Sequence, residues 1–284
     1  MIMKTFRKLF DELMGKEEKS EYKTNMAEFQ LQESNSVTIS FYDGPESVFD
    51  SKIGGLPYMP ENFKYPMDLR KGREEMPLAF LAQINFEQMP PLAGFPIFGI
   101  LQFYIGTDVM FGLDLKNPTD QSGFRVIYFP NIKHEERTLK RMPVTPHADV
   151  SYPIQHPLAM GFTPEESIIG SRDFRFEENL LQAYKMKNPL ATSYGDISVE
   201  IREKMEELCD VGGSRIGGYP FFTQEDPREK GEIYEDYTVL LLQIDSDEKY
   251  GIMWGDQGVA NFFIRYEDLL KKNFSRILFH WDCY

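Results

Sequence analysis

The chain has 284 residues, of which 31 are basic and 45 acidic, for a net charge of −14. That field repels phosphate backbones and anionic lipid, which disfavours nucleic acid and membrane surfaces as partners and suits a basic protein partner. With 23 Phe and 15 Tyr the composition is that of a folded, β-leaning chain, and two cysteines, Cys209 and Cys283, support neither a disulfide framework nor a Cys-type metal site, so a cytoplasmic location is expected.

In chain order, Phe6, Leu9, Phe10, Leu13 and Met14 fall at helical spacing and predict a short amphipathic helix. Lys4, Arg7, Lys8, Asp11 and Glu12 interrupt the same stretch, so it is not read as a signal peptide. Gly15 to Asn25 is a charged linker, and residues 1–25 together form an N-terminal extension. Val37–Tyr42 alternates as a strand does and ends at Asp43-Gly44-Pro45, a turn signal.

A pattern then appears twice. Ser51-Lys52-Ile53-Gly54-Gly55-Leu56-Pro57 returns as Ser214-Arg215-Ile216-Gly217-Gly218-Tyr219-Pro220, and Leu81-Ala82-Gln83-Ile84-Asn85 as Leu241-Leu242-Gln243-Ile244-Asp245. Gly99 to Ile105 returns as Gly258 to Ile264, and Arg125-Val126-Ile127-Tyr128 as Arg276-Ile277-Leu278-Phe279, the last at an offset of 151. In each copy a Gly-Gly step permits positive φ before an extended residue that precedes proline, and three β-rich runs follow. Three strands alone bury too little to be stable, so the two copies are expected to share one core. The chain therefore reads as a single domain, 1–284, of α+β, β-rich class, with antiparallel sheets from an internal duplication about a pseudo-twofold. Half-repeat one is 51–129 and half-repeat two is 214–281.

Residues 130–213 lie between the copies as a helical insert. Thr163 as N-cap, Pro164 at the first helical position and Glu166 completing a capping box predict one helix. Asp196 is expected to cap a second, whose apolar stripe is Ile197, Ile201, Met205 and Leu208.

No motif for covalent chemistry survives comparison with its template. Gly212-Gly213-Ser214-Arg215-Ile216-Gly217-Gly218 lacks the order of a P-loop and reads as a structural turn. Asp245-Ser246-Asp247-Glu248 with Asp256 has the first, third and twelfth positions of a calcium loop, but Tyr250 stands where that loop needs glycine. His134-Glu135-Glu136 has Thr138 where a zinc-protease helix needs histidine, and His147, His156 and His280 lack partners at a recognisable spacing. No catalytic residue, metal or cofactor is expected, and binding is read ahead of catalysis. Gln83 and Gln243 are polar groups inside apolar runs and need partners in the backbone, in each other or in a ligand. Trp254, Gly255, Asp256 and Gln257 have no counterpart in the first copy. The candidate ligand- or partner-binding residues are therefore Gln83, Gln243, Asp245, Trp254 and Asp256.

The strings S-[KR]-I-G-G-x-P, P-L-A-F-L-A-Q-I-N, L-L-L-Q-I-D-S-D and W-G-D-x-G-x-x-x-F-F-I, with the ending W-D-C-Y, resemble the YwqG family of bacterial proteins over about Val37 to Tyr284. The resemblance implies a β-rich fold with an internal duplication and a protein-binding role of the immunity type, neutralising a toxin. It carries no catalytic residue. Two readings follow: a protein-binding module, and a small-molecule site, binding or enzymatic, at the junction of the two half-repeats.

Overall fold

Alternation at period two puts Val37, Ile39 and Phe41 on one buried face of strand β1 (Ser34–Asp43). The computed structural model that shows this describes residues 34–45, 47–133, 152–186, 188–229 and 231–284. The helix predicted near the N-terminus, the linker after it, His134 and His147 lie outside these residues. The remaining strands are β2 (Lys52–Ile53), β3 (Ala79–Asn85), β4 (Ile100–Ile105), β5 (Arg125–Phe129), β6 (Leu158–Ser167), β7 (Arg215–Gly217), β8 (Val239–Asp245), β9 (Val259–Ile264) and β10 (Ile277–Asp282). Among the described residues three α-helices accompany them: α1 (Phe176–Lys185), α2 (Val199–Cys209) and α3 (Tyr266–Leu270).

All ten strands join one antiparallel sheet in the order β10-β9-β8-β7-β1-β6-β2-β3-β4-β5. The quartets β2–β5 and β7–β10 run outward from the central pair with matching registers. Lys52 opposes Gln83 as Arg215 opposes Gln243, and Gln83 opposes Gln102 as Gln243 opposes Asn261. Both β3 and β8 bulge one residue before their Ala82 or Leu242. Strand β1 pairs with β7, while β6 pairs with β2, so each quartet takes as inner neighbour the strand that precedes the other quartet in the chain. The doubled glycines do adopt positive φ, 66° and 75° at Gly54 and Gly55, 67° and 73° at Gly217 and Gly218. The last sequence match slips: Gln102 faces Ile127 and Asn261 faces His280, which sets Val126 beside Phe279 and not beside Ile277. A shift of two keeps the same side chains facing inward, so periodicity alone does not detect it.

The sheet curls into a nearly closed barrel. Phe103 on β4 meets Phe262 on β9 at 5.0 Å between ring centroids, Phe124 meets Phe279 at 5.2 Å, and Phe262 stacks on Phe279 at 4.5 Å. These rings belong to one apolar cluster that draws on both quartets, and each fully buried Phe contributes about 1.5–3 kcal/mol.

The insert differs from expectation in its first half. Residues 158–167 form strand β6, not a helix capped by Thr163, because they pair along their whole length with β1 and bury Leu158 and Met160. Pro164 is tolerated there: it opposes Val37, and on its other side β2 reaches no further than Ala159, so the missing N–H removes no ladder bond. Helix α2 forms as predicted, with Ile197 and Met205 buried, but its cap is Ser198, whose side chain accepts from Ile201 N–H. Asp196 instead accepts from the backbone of Thr192 and Ser193. Helices α1 and α2 share a small core of Phe176, Leu180, Ala183, Met205 and Cys209. Burial pushes the Cys209 thiol up to about 12, which leaves it protonated and inert.

Candidate functional site

The two glutamines are fully buried and hold the Gly-Gly-x-Pro turns onto the sheet. Gln83 Oε1 accepts from Tyr58 N–H at 2.9 Å and from Gln102 Nε2 at 3.0 Å, and its Nε2 donates to the carbonyls of Val48 and Asp50, both at 2.7 Å. Gln243 Oε1 accepts from Phe221 N–H at 2.7 Å, and its Nε2 donates to Gly213 C=O at 2.6 Å. Gln102 Nε2 reaches Tyr58 C=O as Asn261 Nδ2 reaches Phe221 C=O. The hydroxyls of Ser51 and Ser214 accept from Asn85 N–H and Asp245 N–H. The repeated residues are thus the ones whose side chains bind backbone, which is why they recur at matched spacing.

Asp245 ends β8. Its carboxylate accepts from Gly213 N–H at 2.5 Å, and burial raises its pKa above the ordinary value, against the lowering effect of that bond and of Arg215. Trp254 is buried edge-on against Phe111 at 5.2 Å. Its Nε1–H has no hydrogen-bond partner among the described residues. Asp256 is exposed in the turn closed by Gly258 N–H to Trp254 C=O, and its own carbonyl accepts from Tyr284 N–H. Ser246 Oγ and the Asp247 carboxylate bond the backbone of the same loop, at Gly258 C=O and Lys249 N–H. Among the described residues no cluster of His, Cys, Asp and Glu forms a metal set. Among the described residues, Gly213, whose N–H bonds the Asp245 carboxylate, lines a cavity.

The surface that sequence reasoning missed lies where the barrel fails to close. At the β10 edge, Phe279 N–H donates to Pro118 C=O at 2.9 Å and Trp281 Nε1 to Met110 C=O at 3.0 Å, so the β4–β5 loop seals it. At the β5 edge the contact is indirect: Val126 N–H reaches Gln121 Oε1, whose Nε2 donates to Phe274 C=O, each at 2.9 Å. Among the described residues no strand pairs with β5 on that side. A groove of about 580 Å³ opens there, lined among others by Arg125, Tyr128, Lys272 and Phe274. Arg125 Nε is buried without a partner among the described residues.

An apolar shelf adjoins this groove. Tyr128 Oη donates to Phe98 C=O at 2.8 Å, and Lys272 Nζ lies 4.9 Å from the Phe98 ring centroid. Ile97 is 64% exposed and Phe98 44%; Tyr266 and Leu270, one turn apart on α3, are 52% and 55% exposed. A Cβ at Gly94 would meet the Tyr266 ring at 3.1 Å, so the Gly94–Phe98 loop and α3 form one continuous face.

A second feature escaped the sequence. Asp68-Leu69-Arg70, Asp173-Phe174-Arg175 and Asp226-Pro227-Arg228 share one geometry, in which the arginine's N–H and Nε both donate to the aspartate's Oδ1. Arg228 is fully buried, joins Asp226 at 2.7 Å and Asp173 at 3.2 Å, and stacks 4.1 Å from the Phe263 ring centroid. A recurrent Asp-x-Arg was visible in the chain; that the second and third copies meet is a tertiary fact.

Residues 51–283 match the family described as a domain of unknown function, DUF1963, and the chain belongs to that family. No curated protein matches the chain. Among the described residues no helix is long and apolar enough to cross a membrane.

Proposed function

We propose that this member of the DUF1963 family is a protein-binding module, and that its docking face is the apolar shelf of Ile97, Phe98, Tyr266 and Leu270 together with the groove along β5. The observation that carries the reading is asymmetry. The matched registers and backbone bonds of the two quartets support an origin by internal duplication, yet one edge is sealed by direct bonds while the other, among the described residues, is unpaired beside exposed apolar side chains. Exposed apolar groups gathered on one face mark a contact surface, and an unpaired strand edge offers backbone groups to a partner.

Arg125 and Lys272 line the groove, so the contacting segment brings a carboxylate beside an apolar side chain. The net charge of −14 steers towards the chain partners that are basic overall. Toxin neutralisation, the role implied by the YwqG resemblance, is one form of this binding. The test is capture of partners from the native host on immobilised wild-type chain and on Ile97→Glu and Leu270→Glu, with Leu190→Glu as an exposed control away from the shelf. A partner lost by about tenfold or more from both shelf variants, and retained by the control, supports the reading. A partner retained by both shelf variants, or no partner at all, contradicts it.

A further inference from the structure

A second site lies on the outer face of the sheet, where β1, β6 and β7 meet under the two ends of the insert. Alternation places Ile216 in the core and therefore turns Arg215 outward, onto the face that Ser36 and Thr38 share. The insert leaves the sheet at Ser167 and rejoins it at Gly213, and these ends roof a cavity of about 130 Å³ lined by Ser36, Thr38, Glu165, Ser167, Gly213 and Arg215.

Arg215 is 9% exposed and forms no ion pair among the described residues. Its Nη2 donates to the carbonyls of Val211, at 2.8 Å, and Gly212, and its Nη1 reaches Tyr219 C=O at 3.4 Å. A guanidinium has five N–H donors, so among the described residues Nε–H and one Nη1–H are left over. Two carboxylates lie near without closing on it. Glu165 is held by the Thr38 hydroxyl and Asp245 by Gly213 N–H. A buried cation left among carbonyls is costly unless a counter-charge reaches it.

The corresponding place in the other quartet holds no such arrangement. Matching β1 to β6 through their pairings with β7 and β2 sets Thr38 against Ala159 and Arg215 against Lys52, and Lys52 Nζ turns to Ser47 C=O at 2.8 Å. The niche is therefore not a by-product of the repeated scaffold.

The geometry points to a binding site for a small zwitterion of the α-amino acid class, its carboxylate on the free donors of Arg215 and its ammonium on Glu165, with the Ser36, Thr38 and Ser167 hydroxyls between them. A cation and a carboxylate facing one gap select a ligand with both charges over one with either alone. An apolar cavity of about 150 Å³ holds one benzene, so this one takes roughly five or six heavy atoms, the size of glycine or alanine.

Calorimetric titration of the full chain with glycine and L-alanine, and at matched ionic strength with acetate and ethylammonium, tests the assignment. Saturable binding of the amino acids is expected, with acetate and ethylammonium weaker by about tenfold or more, the loss of one charge-assisted contact. Arg215→Lys and Glu165→Gln should each weaken alanine by a similar factor; Glu165 is exposed, so E165Q keeps the wild-type melting temperature. The absence of saturable amino-acid binding, acetate binding as tightly as alanine, or unchanged affinity in E165Q each overturns the assignment.

Discussion

Lys52 and Arg215 occupy corresponding positions opposite Gln83 and Gln243, yet their surroundings handle the charge differently. Beside Lys52 stands Asn85, whose amide serves Phe49 C=O; beside Arg215 stands Asp245, whose carboxylate takes Gly213 N–H while the arginine serves Gly212 C=O. The changes Lys to Arg and Asn to Asp thus belong together. Burial lowers the Lys52 ammonium to about 8, with Asp50 opposing. The unfolded side chain titrates near 10.4, so between these values the unfolded chain binds the extra proton and stability rises with pH. The span corresponds to at most roughly 3 kcal/mol. Urea unfolding across pH 8 to 10 (roughly this window) should show that rise in the wild type and lose it in Lys52→Met. A slope that survives the substitution contradicts the argument. The glutamines show how far a single residue is legible: an amide inside an apolar run announces that it needs partners, but whether those are backbone or ligand depends on the approach of a loop some thirty positions away.

At the scale of elements, β1 was readable from its period-two alternation, β3 and β9 as short continuous apolar runs buried on both faces, and the stripe of α2 from period 3.6. Thr163-Pro164-Glu165-Glu166 misled because a capping box is a local signal, and β6 is stabilised by ten cross-strand pairs with a segment far away in sequence. The attachment of α1 was not legible at all. It depends on Asp173, just before the helix, meeting Arg228 from the β7–β8 loop. Burial pushes the Asp173 pKa up, but the Arg175 hydrogen bond and the charges of Arg228 and Arg175 hold it below the ordinary carboxylate value. A depressed carboxylate contributes stability that is present above about pH 4 and lost as pH falls through the folded value. Arg228→Met leaves buried Asp226 without its ion-pair partner and Asp173 with Arg175 alone, and should cost about 3–5 kcal/mol in urea unfolding at neutral pH. Lys271→Met, which breaks an exposed pair with Glu267, should cost less than about 0.5 kcal/mol. Comparable losses from both would mean that the buried network does not anchor the helix.

For the whole molecule, the sheet order places β1 and β6, which are far apart in the chain, at the centre and the two aromatic-rich ends face to face. The repeat in the sequence carried the matched quartets, because side chains that bind backbone recur with the turns they hold. It did not carry the exchange of β1 and β6 between quartets, since those strands share only an alternation of apolar residues. Nor did it carry the contrast between a sealed edge at β10 and an open one at β5, which arises from loops without counterparts. The functional claim rests on that contrast. Hydrogen exchange of the full chain, alone and saturated with a captured partner, addresses it most directly. Slowed exchange confined to residues 94–99, 125–130 and 266–275 is the predicted footprint. Unchanged exchange there, with protection appearing on α1 and α2 or over the sealed β10 edge, would contradict it.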